Sequence, residues 1–258
     1  MTATGDRGGK ILKPHGAAGK SSRVKRFARF VMRGGRRRLA AAGRLASKPH
    51  LLLFDFDGTV ADTFQCGLEI LNSMATEFRY RRLEDADLPR VRDMRTRELM
   101  KFLGIPATRL PKISKRGKEE LNKRMDEIHP FPGMSEIVRT LHEGGFRLGI
   151  LTSNSEENVA CFLRKFDLEI FDFIYTSSKL TGKARVIRRI LKERKLKPRQ
   201  VLLVGDEVRD IEAALETGIH MAAVTWGYNS RNSLSSLNPD HVLDTPDELK
   251  DLICGLPA

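Results

Sequence analysis

The chain has 258 residues, with 46 Lys+Arg against 33 Asp+Glu, a formal net charge of +13 and 40% hydrophobic residues. That apolar content excludes wholesale disorder, and the length suffices for one substantial core plus an accessory domain. Three scattered cysteines (Cys66, Cys161, Cys254) without a CxxC pair argue against a disulfide scaffold or structural zinc, and apolar runs such as Leu51 to Phe54 fall far short of the roughly 18 residues of a membrane span, so a soluble protein of a reducing compartment is expected.

The charge is unevenly distributed. Residues 1–48 hold nine Arg and five Lys against one acid, Asp6, so the entire excess lies there and the remainder is balanced. The segment is Gly-rich at its start and basic through Arg36, Arg37 and Arg38, and it reads as a poorly ordered arm. Only Val24, Phe27, Ala28 and Val31 recur at helical spacing, with Arg23, Arg26, Arg29 and Arg33 mostly on the other face. Such an arm suits contact with nucleic acid or ribosome, contact with an anionic membrane, or targeting; a solvated extension is an equal expectation. The expected location is the cytoplasm, or an organelle if 1–48 is a transit peptide.

The globular body starts near Lys48-Pro49. His50 to Phe54 is a short apolar run, as in a buried parallel strand, and it ends in acids. From about Phe64 to Pro130 the sequence is charged and helix-like, with interruptions at Pro89, Gly104-Ile105-Pro106 and Pro111, which predicts a small helical domain over 65–130. After Pro132-Gly133 helices and strands alternate. Met134, Ile137, Val138 and Leu141 form one helical stripe, and Phe146 to Leu151 the next strand. Val159, Phe162, Leu163 and Phe166 form another stripe, followed by the strand Phe171 to Tyr175. A helix from about Lys183 to Lys195, the strand Val201 to Val204, a helix from about Arg209 to Thr217 and the strand His220 to Thr225 continue the series; Thr245-Pro246-Asp247-Glu248 reads as a capping box. The repeat predicts an α/β fold: a Rossmann-like, mostly parallel sheet with helices on both faces, built from 49–64 and 131–258. Ligands of such sheets bind beyond the carboxyl ends of the strands.

Polar residues collect at those ends: Asp55-Phe56-Asp57-Gly58-Thr59-Val60-Ala61-Asp62, then Thr152-Ser153-Asn154, then Gly205-Asp206-Glu207-Val208-Arg209-Asp210. Acids at i and i+2 of an extended segment project to one side, so Asp55 and Asp57 can act on one substrate atom. Gly58 permits a tight turn and a close backbone approach to a bound anion. Lys183 opens a helix, where a cation opposes the macrodipole, so an anionic partner is expected for it. Arg92, Arg95 and Arg97 could reach a substrate carboxylate, but as a charge run they read first as a solvated helix face. Trp226 could pack near the site entrance, but packing alone explains an aromatic there.

These segments resemble the motifs of the haloacid dehalogenase-like (HAD) superfamily, in its phosphoglycolate phosphatase-like branch. The resemblance covers essentially all of 49–258, and residues 55–62 match the DxDGTxxD signature without departure. It implies a helical cap over 65–130 and a phosphatase using Mg²⁺ and an aspartyl-phosphate intermediate on a small phosphorylated metabolite such as 2-phosphoglycolate. By the same resemblance Asp55 is the nucleophile and Asp57 the acid and base, with Mg²⁺ held by Asp55, the Asp57 carbonyl and Asp206. Asp210 completes the metal site from behind them, orienting the metal's waters or Lys183; Gly58 lets the chain approach the phosphate, and Thr152, the Ser153 N–H and Lys183 hold the phosphoryl group. A phosphomutase of the same superfamily would use the same motifs, and an RNA- or membrane-docking protein acting through residues 1–48 is the rival from another class.

Overall fold

The structure, a computed structural model, describes residue 45 and residues 47–177 and 182–256, all within a compact unit spanning Gly43–Ala258. The basic arm and its amphipathic stretch lie outside the described residues.

Strand β1 (Leu51–Phe54) runs down the middle of a six-stranded sheet of order β3-β2-β1-β4-β5-β6, completed by β2 (Arg147–Thr152), β3 (Phe173–Thr176), β4 (Val201–Gly205), β5 (His220–Val224) and β6 (His241–Leu243). Every pairing among them is parallel, and β1 is in register with both neighbours, Phe54 lying opposite Ile150 and Val204. Period-two alternation sorts β1 between two cores: Leu52 and Phe54 pack on one face, Leu51 and Leu53 on the other. A strand buried on both faces reads as an unbroken apolar run, and for that reason Leu51 to Phe54 carries no polar residue.

Between β1 and β2 the described residues form helices and no strand. These are α1 (Phe64–Ser73), α2 (Ala75–Phe78), α3 (Leu88–Arg92), α4 (Thr96–Phe102), α5 (Leu110–Lys123) and, just before β2, α6 (Met134–Glu143). Pro89 and Pro111 each occupy the first turn of their helix, where a missing N–H costs nothing. Ile70, Met74, Phe78, Val91 and Ile113 bury their side chains in the same core as Leu52 and Phe54, so this helical segment is packed onto the sheet domain.

The remaining helices are α7 (Glu156–Lys165), α8 (Gly182–Glu193), α9 (Val208–Thr217), α10 (Arg231–Ser235) and α11 (Pro246–Cys254). The edge strand β6 and the short α10 were not anticipated, since three and five residues leave no period to read. The capping box at α11 is half made: the Thr245 hydroxyl accepts from the Glu248 N–H, but Glu248 accepts from the N–H of Asp244 instead of Thr245. No helix among the described residues is long and apolar enough to cross a membrane.

Candidate active site

Three adjacent strands, β2, β1 and β4, deliver Thr152, Asp55 and Asp206 to one edge of the sheet, because the residues that leave the central strands in register leave them side by side. One carboxylate oxygen from each of Asp55, Asp206 and Asp210 lies within 4.8 Å of the others, and all three residues are buried. Asp55 keeps strand geometry, its N–H donating to the Val204 carbonyl at 2.8 Å. Its Oδ1 accepts from the Phe56 N–H and its Oδ2 lies 2.5 Å from Lys183 Nζ. Lys183, at the start of α8, is only 4% exposed and reaches Asp210 Oδ1 at the same 2.5 Å. The anionic partner expected for this lysine is therefore a pair of carboxylates.

Asp206 is held from two sides. Its Oδ1 accepts from the Thr59 hydroxyl at 2.9 Å and its Oδ2 from the Tyr228 N–H at 2.7 Å. Gly58 makes this possible: its φ of +81° turns the chain after Asp57, and a Cβ there would collide with the Asp206 carboxylate and the Tyr228 ring. The close approach allowed by Gly58 is thus to Asp206, while its own N–H donates to the Ala61 carbonyl at 2.9 Å. Asp57 is half-buried, and its Oδ1 accepts from Asn154 Nδ2 at 3.1 Å.

Thr152 is fully buried. Its hydroxyl accepts from the Asn154 N–H at 2.9 Å, which leaves its own proton to donate. Helix α7 is capped by Ser155, whose hydroxyl accepts from Asn158, so neither Thr152 nor Ser153 is needed as a cap. Ser153 is half-buried, with its carbonyl 2.5 Å from Lys118 Nζ of α5. Asp210, in the first turn of α9, accepts from the Glu207 N–H through Oδ2.

The electrostatics reflect crowding. Burial pushes Asp55 up to about 7, with Lys183 opposing and Asp210 adding to the rise. Burial likewise raises Asp57, against the Asn154 hydrogen bond, and raises Asp206 well above the usual carboxylate range, reinforced by Glu207, Asp55 and Asp210. Burial alone would lower Lys183, but Asp210 and Asp55 outweigh it and the ammonium is held more firmly than in water. Four aspartates and Glu207 face two cations, Lys183 and Arg209, leaving an excess of negative charge that a buried site cannot carry uncompensated. The donors are all oxygen, so the set fits a hard divalent cation.

Several residues of this site carry no signature in the sequence. Tyr228 and Asn229 act largely through the backbone, Asn229 N–H donating to the Asp206 carbonyl while its side chain joins the Val208 N–H to the Arg92 carbonyl. Asn154 and Thr59 stand inside recognised motifs and were legible only as neighbours. Arg92 is half-buried and not part of a solvated face: its guanidinium donates to the carbonyls of Thr225 and Gly227, at 3.0 and 2.7 Å. Arg95 is exposed and pairs with Glu212 of α9, and Arg97 is exposed. Trp226 donates its indole N–H to the Thr59 carbonyl and packs its ring edge-on to Phe131.

Residues 52–224 match the family model of the haloacid dehalogenase-like hydrolases. The chain is 31% identical over 206 residues to a phosphoglycolate phosphatase of Synechococcus elongatus, an alignment covering 80% of this chain and 97% of that one. It is 25% identical over 215 residues to the pyrophosphatase PpaX of Bacillus cereus, covering 80% and 96% respectively. A predicted phosphatase from Clostridium acetobutylicum shares the fold with a TM-score of 0.70 at 24% identity, covering 81% of this chain and all of that one. With an acidic cluster at the strand ends and relatives aligned along nearly their whole length, the chain belongs to the haloacid dehalogenase-like hydrolase family and is a phosphatase.

Proposed function

We propose that this phosphatase hydrolyses a small phosphorylated metabolite, 2-phosphoglycolate foremost, with Mg²⁺ and through an aspartyl-phosphate on Asp55. The observation that carries this reading is the placement of Asp55: a buried carboxylate at the end of the central strand, beside a buried lysine and within 4.8 Å of two further acids. The substrate follows from the similarity to phosphoglycolate phosphatase along 97% of that protein.

Asp55 attacks phosphorus while the bond to the leaving oxygen breaks, and the Asp57 carboxyl, raised by burial and so able to hold a proton near neutrality, gives that proton to the leaving oxygen. Asp57 then takes a proton from water as the water attacks phosphorus and the Asp55–phosphorus bond breaks, restoring both groups. Asn154 orients Asp57 through the hydrogen bond to Oδ1. Lys183 and the Thr152 hydroxyl stabilise charge on the phosphoryl oxygens, each already fixed by its protein partners and so needing little reorganisation. Asp55, the Asp57 carbonyl and Asp206 would hold Mg²⁺, with Asp210 holding Lys183 behind them. Bound there, the ion neutralises the carboxylates and the phosphate dianion and polarises the phosphoryl group.

Phosphate release from a panel of phosphomonoesters, with Mg²⁺ or with EDTA, tests the proposal. Turnover with 2-phosphoglycolate among the better substrates, silenced by EDTA and restored by Mg²⁺, is expected. Metal-independent release would remove the ion from the account, and a clear preference for other esters would remove the substrate.

A further inference from the structure

A cavity of about 430 Å³ lies between the helical segment and α9. Its walls are mostly apolar, from residues such as Leu68, Leu71 and Val91; Arg92, Arg95 and Arg97 of the helical segment line it too, as do Glu207, Arg209 and Tyr228. The aspartates and Lys183 do not line it. Arg209 belongs to both places: it lines the cavity, and its charge acts on Asp55, Asp57, Asp206 and Asp210.

The guanidinium is incompletely used. One nitrogen, Nη2, lies 2.5 Å from Glu207 Oε1, which fixes the plane of the group. The Nε atom is buried and has no partner among the described residues. A buried donor left without a partner is destabilising, and a cation in the first turn of a helix also opposes the macrodipole. Neither feature is expected of an arginine that serves only to neutralise Glu207. A planar fork held by Glu207, one-third exposed and lining the cavity, is suited to a carboxylate or a phosphate.

The phosphoryl group already has Lys183 and Thr152 in the proposed function, on which this inference rests. Arg209 lines the cavity and its charge acts on the site's aspartates, so a substrate reaching from the site into the cavity would meet it. We infer that Arg209 binds a second anionic group of the substrate, a carboxylate or phosphate carried within a few atoms of the scissile bond, and so determines specificity for phosphate compounds that carry such a group over simple esters.

Steady-state kinetics with Mg²⁺ on 2-phosphoglycolate, inorganic pyrophosphate and p-nitrophenyl phosphate test this for the wild type, Arg209→Met and Arg209→Lys. The first two probes carry the second anion as carboxylate and as phosphate; the third lacks it. Arg209→Met should lower kcat/KM for the preferred anionic probe about 10- to 100-fold more than for p-nitrophenyl phosphate, the range set by a charged hydrogen bond, with the excess appearing mainly in KM. Arg209→Lys should recover part of it, since the charge returns without the fork. The probe favoured by the wild type identifies the anion. An equal loss on all three probes, or no loss on any, would overturn the assignment. A wild type that turned over none of them would overturn the proposed function itself, whatever Arg209 does.

Discussion

Lys183 Nζ lies 2.5 Å from Asp55 Oδ2 and 2.5 Å from Asp210 Oδ1, with all three side chains at most 4% exposed. One ammonium therefore holds the carboxylate proposed to attack and is itself held by a second acid on α9. Removing one member of a buried charged set leaves the others uncompensated and costs about 3–5 kcal/mol, while loss of a donor aimed at developing charge lowers kcat by about 10²–10³. Lys183→Met should show both, as a lower Tm and a lower kcat, and Lys183→Arg should not restore kcat because the fork cannot replace a point charge shared by two oxygens. Near-wild-type kcat in Lys183→Met would detach this lysine from the chemistry.

The raised carboxylates set the pH behaviour of the metal-free protein. Asp55, pushed up to about 7, binds its proton more tightly folded than unfolded, and Asp57 and Asp206 shift in the same direction, all three chiefly through burial. Between the unfolded carboxylate pKa, about 4, and the folded value the native state holds the extra proton, so these groups lower stability as pH rises through that window. In the proposed site Mg²⁺ would have to displace those protons to bind. The gain in Tm on replacing EDTA by Mg²⁺ should therefore be larger near about pH 8 than near about pH 5.5. A gain independent of pH would contradict the site's raised carboxylates.

Gly58 and Gly227 flank Asp206, and a Cβ on either would overlap its carboxylate. At Gly58 the positive φ adds backbone strain to the collision. Gly58→Ala should cost about 1–3 kcal/mol of stability and weaken Mg²⁺ binding by about tenfold or more, because the carboxylate has to move off its two hydrogen bonds. A Mg²⁺ titration of activity alongside thermal unfolding separates the two effects, and unchanged Mg²⁺ affinity would free Gly58 from any part in the site.

Legibility in the sequence followed the range of the interactions. Strands β1, β2, β4 and β5 and helices α6 to α9 announced themselves because burial on a sheet imposes local periods, and the acids at the strand ends stood out because nothing apolar needs them there. The three-residue edge strand β6 lacked enough positions for a pattern. The loop 225–230 offered only Trp226 as a signal for a different reason: its hold on Asp206 comes from the backbone N–H groups of Tyr228 and Asn229, which any residue other than proline supplies. The burial of Arg92 is illegible for a third reason. Its partners are the carbonyls of Thr225 and Gly227, more than 130 residues away in the chain, so its local context of charged neighbours suggested only a wet surface.

That same arginine ties the helical segment to the loop that grips Asp206. Its carbonyl accepts from the Ser230 N–H and from Asn229 Nδ2, both at 2.9 Å, completing a two-way attachment. Each hydrogen bond to a charged group contributes about 1.5–3 kcal/mol, so Arg92→Ala should loosen residues 225–230 and, through Tyr228, the carboxylate of Asp206. A several-fold rise in the Mg²⁺ concentration needed for half-maximal activity is expected, with partial recovery in Arg92→Lys. A change confined to Tm would make Arg92 a purely structural tie.

The central claim is that the Asp55 carboxylate is the nucleophile. Asp55→Asn preserves size and can accept from the Phe56 N–H, but its amide is a far weaker nucleophile toward phosphorus. With the variant shown to be folded by its circular dichroism and thermal transition, and with Mg²⁺ saturating, phosphate release from 2-phosphoglycolate and p-nitrophenyl phosphate should fall by about 10⁴-fold or to background, equally for both. Turnover within tenfold of the wild type would contradict the account.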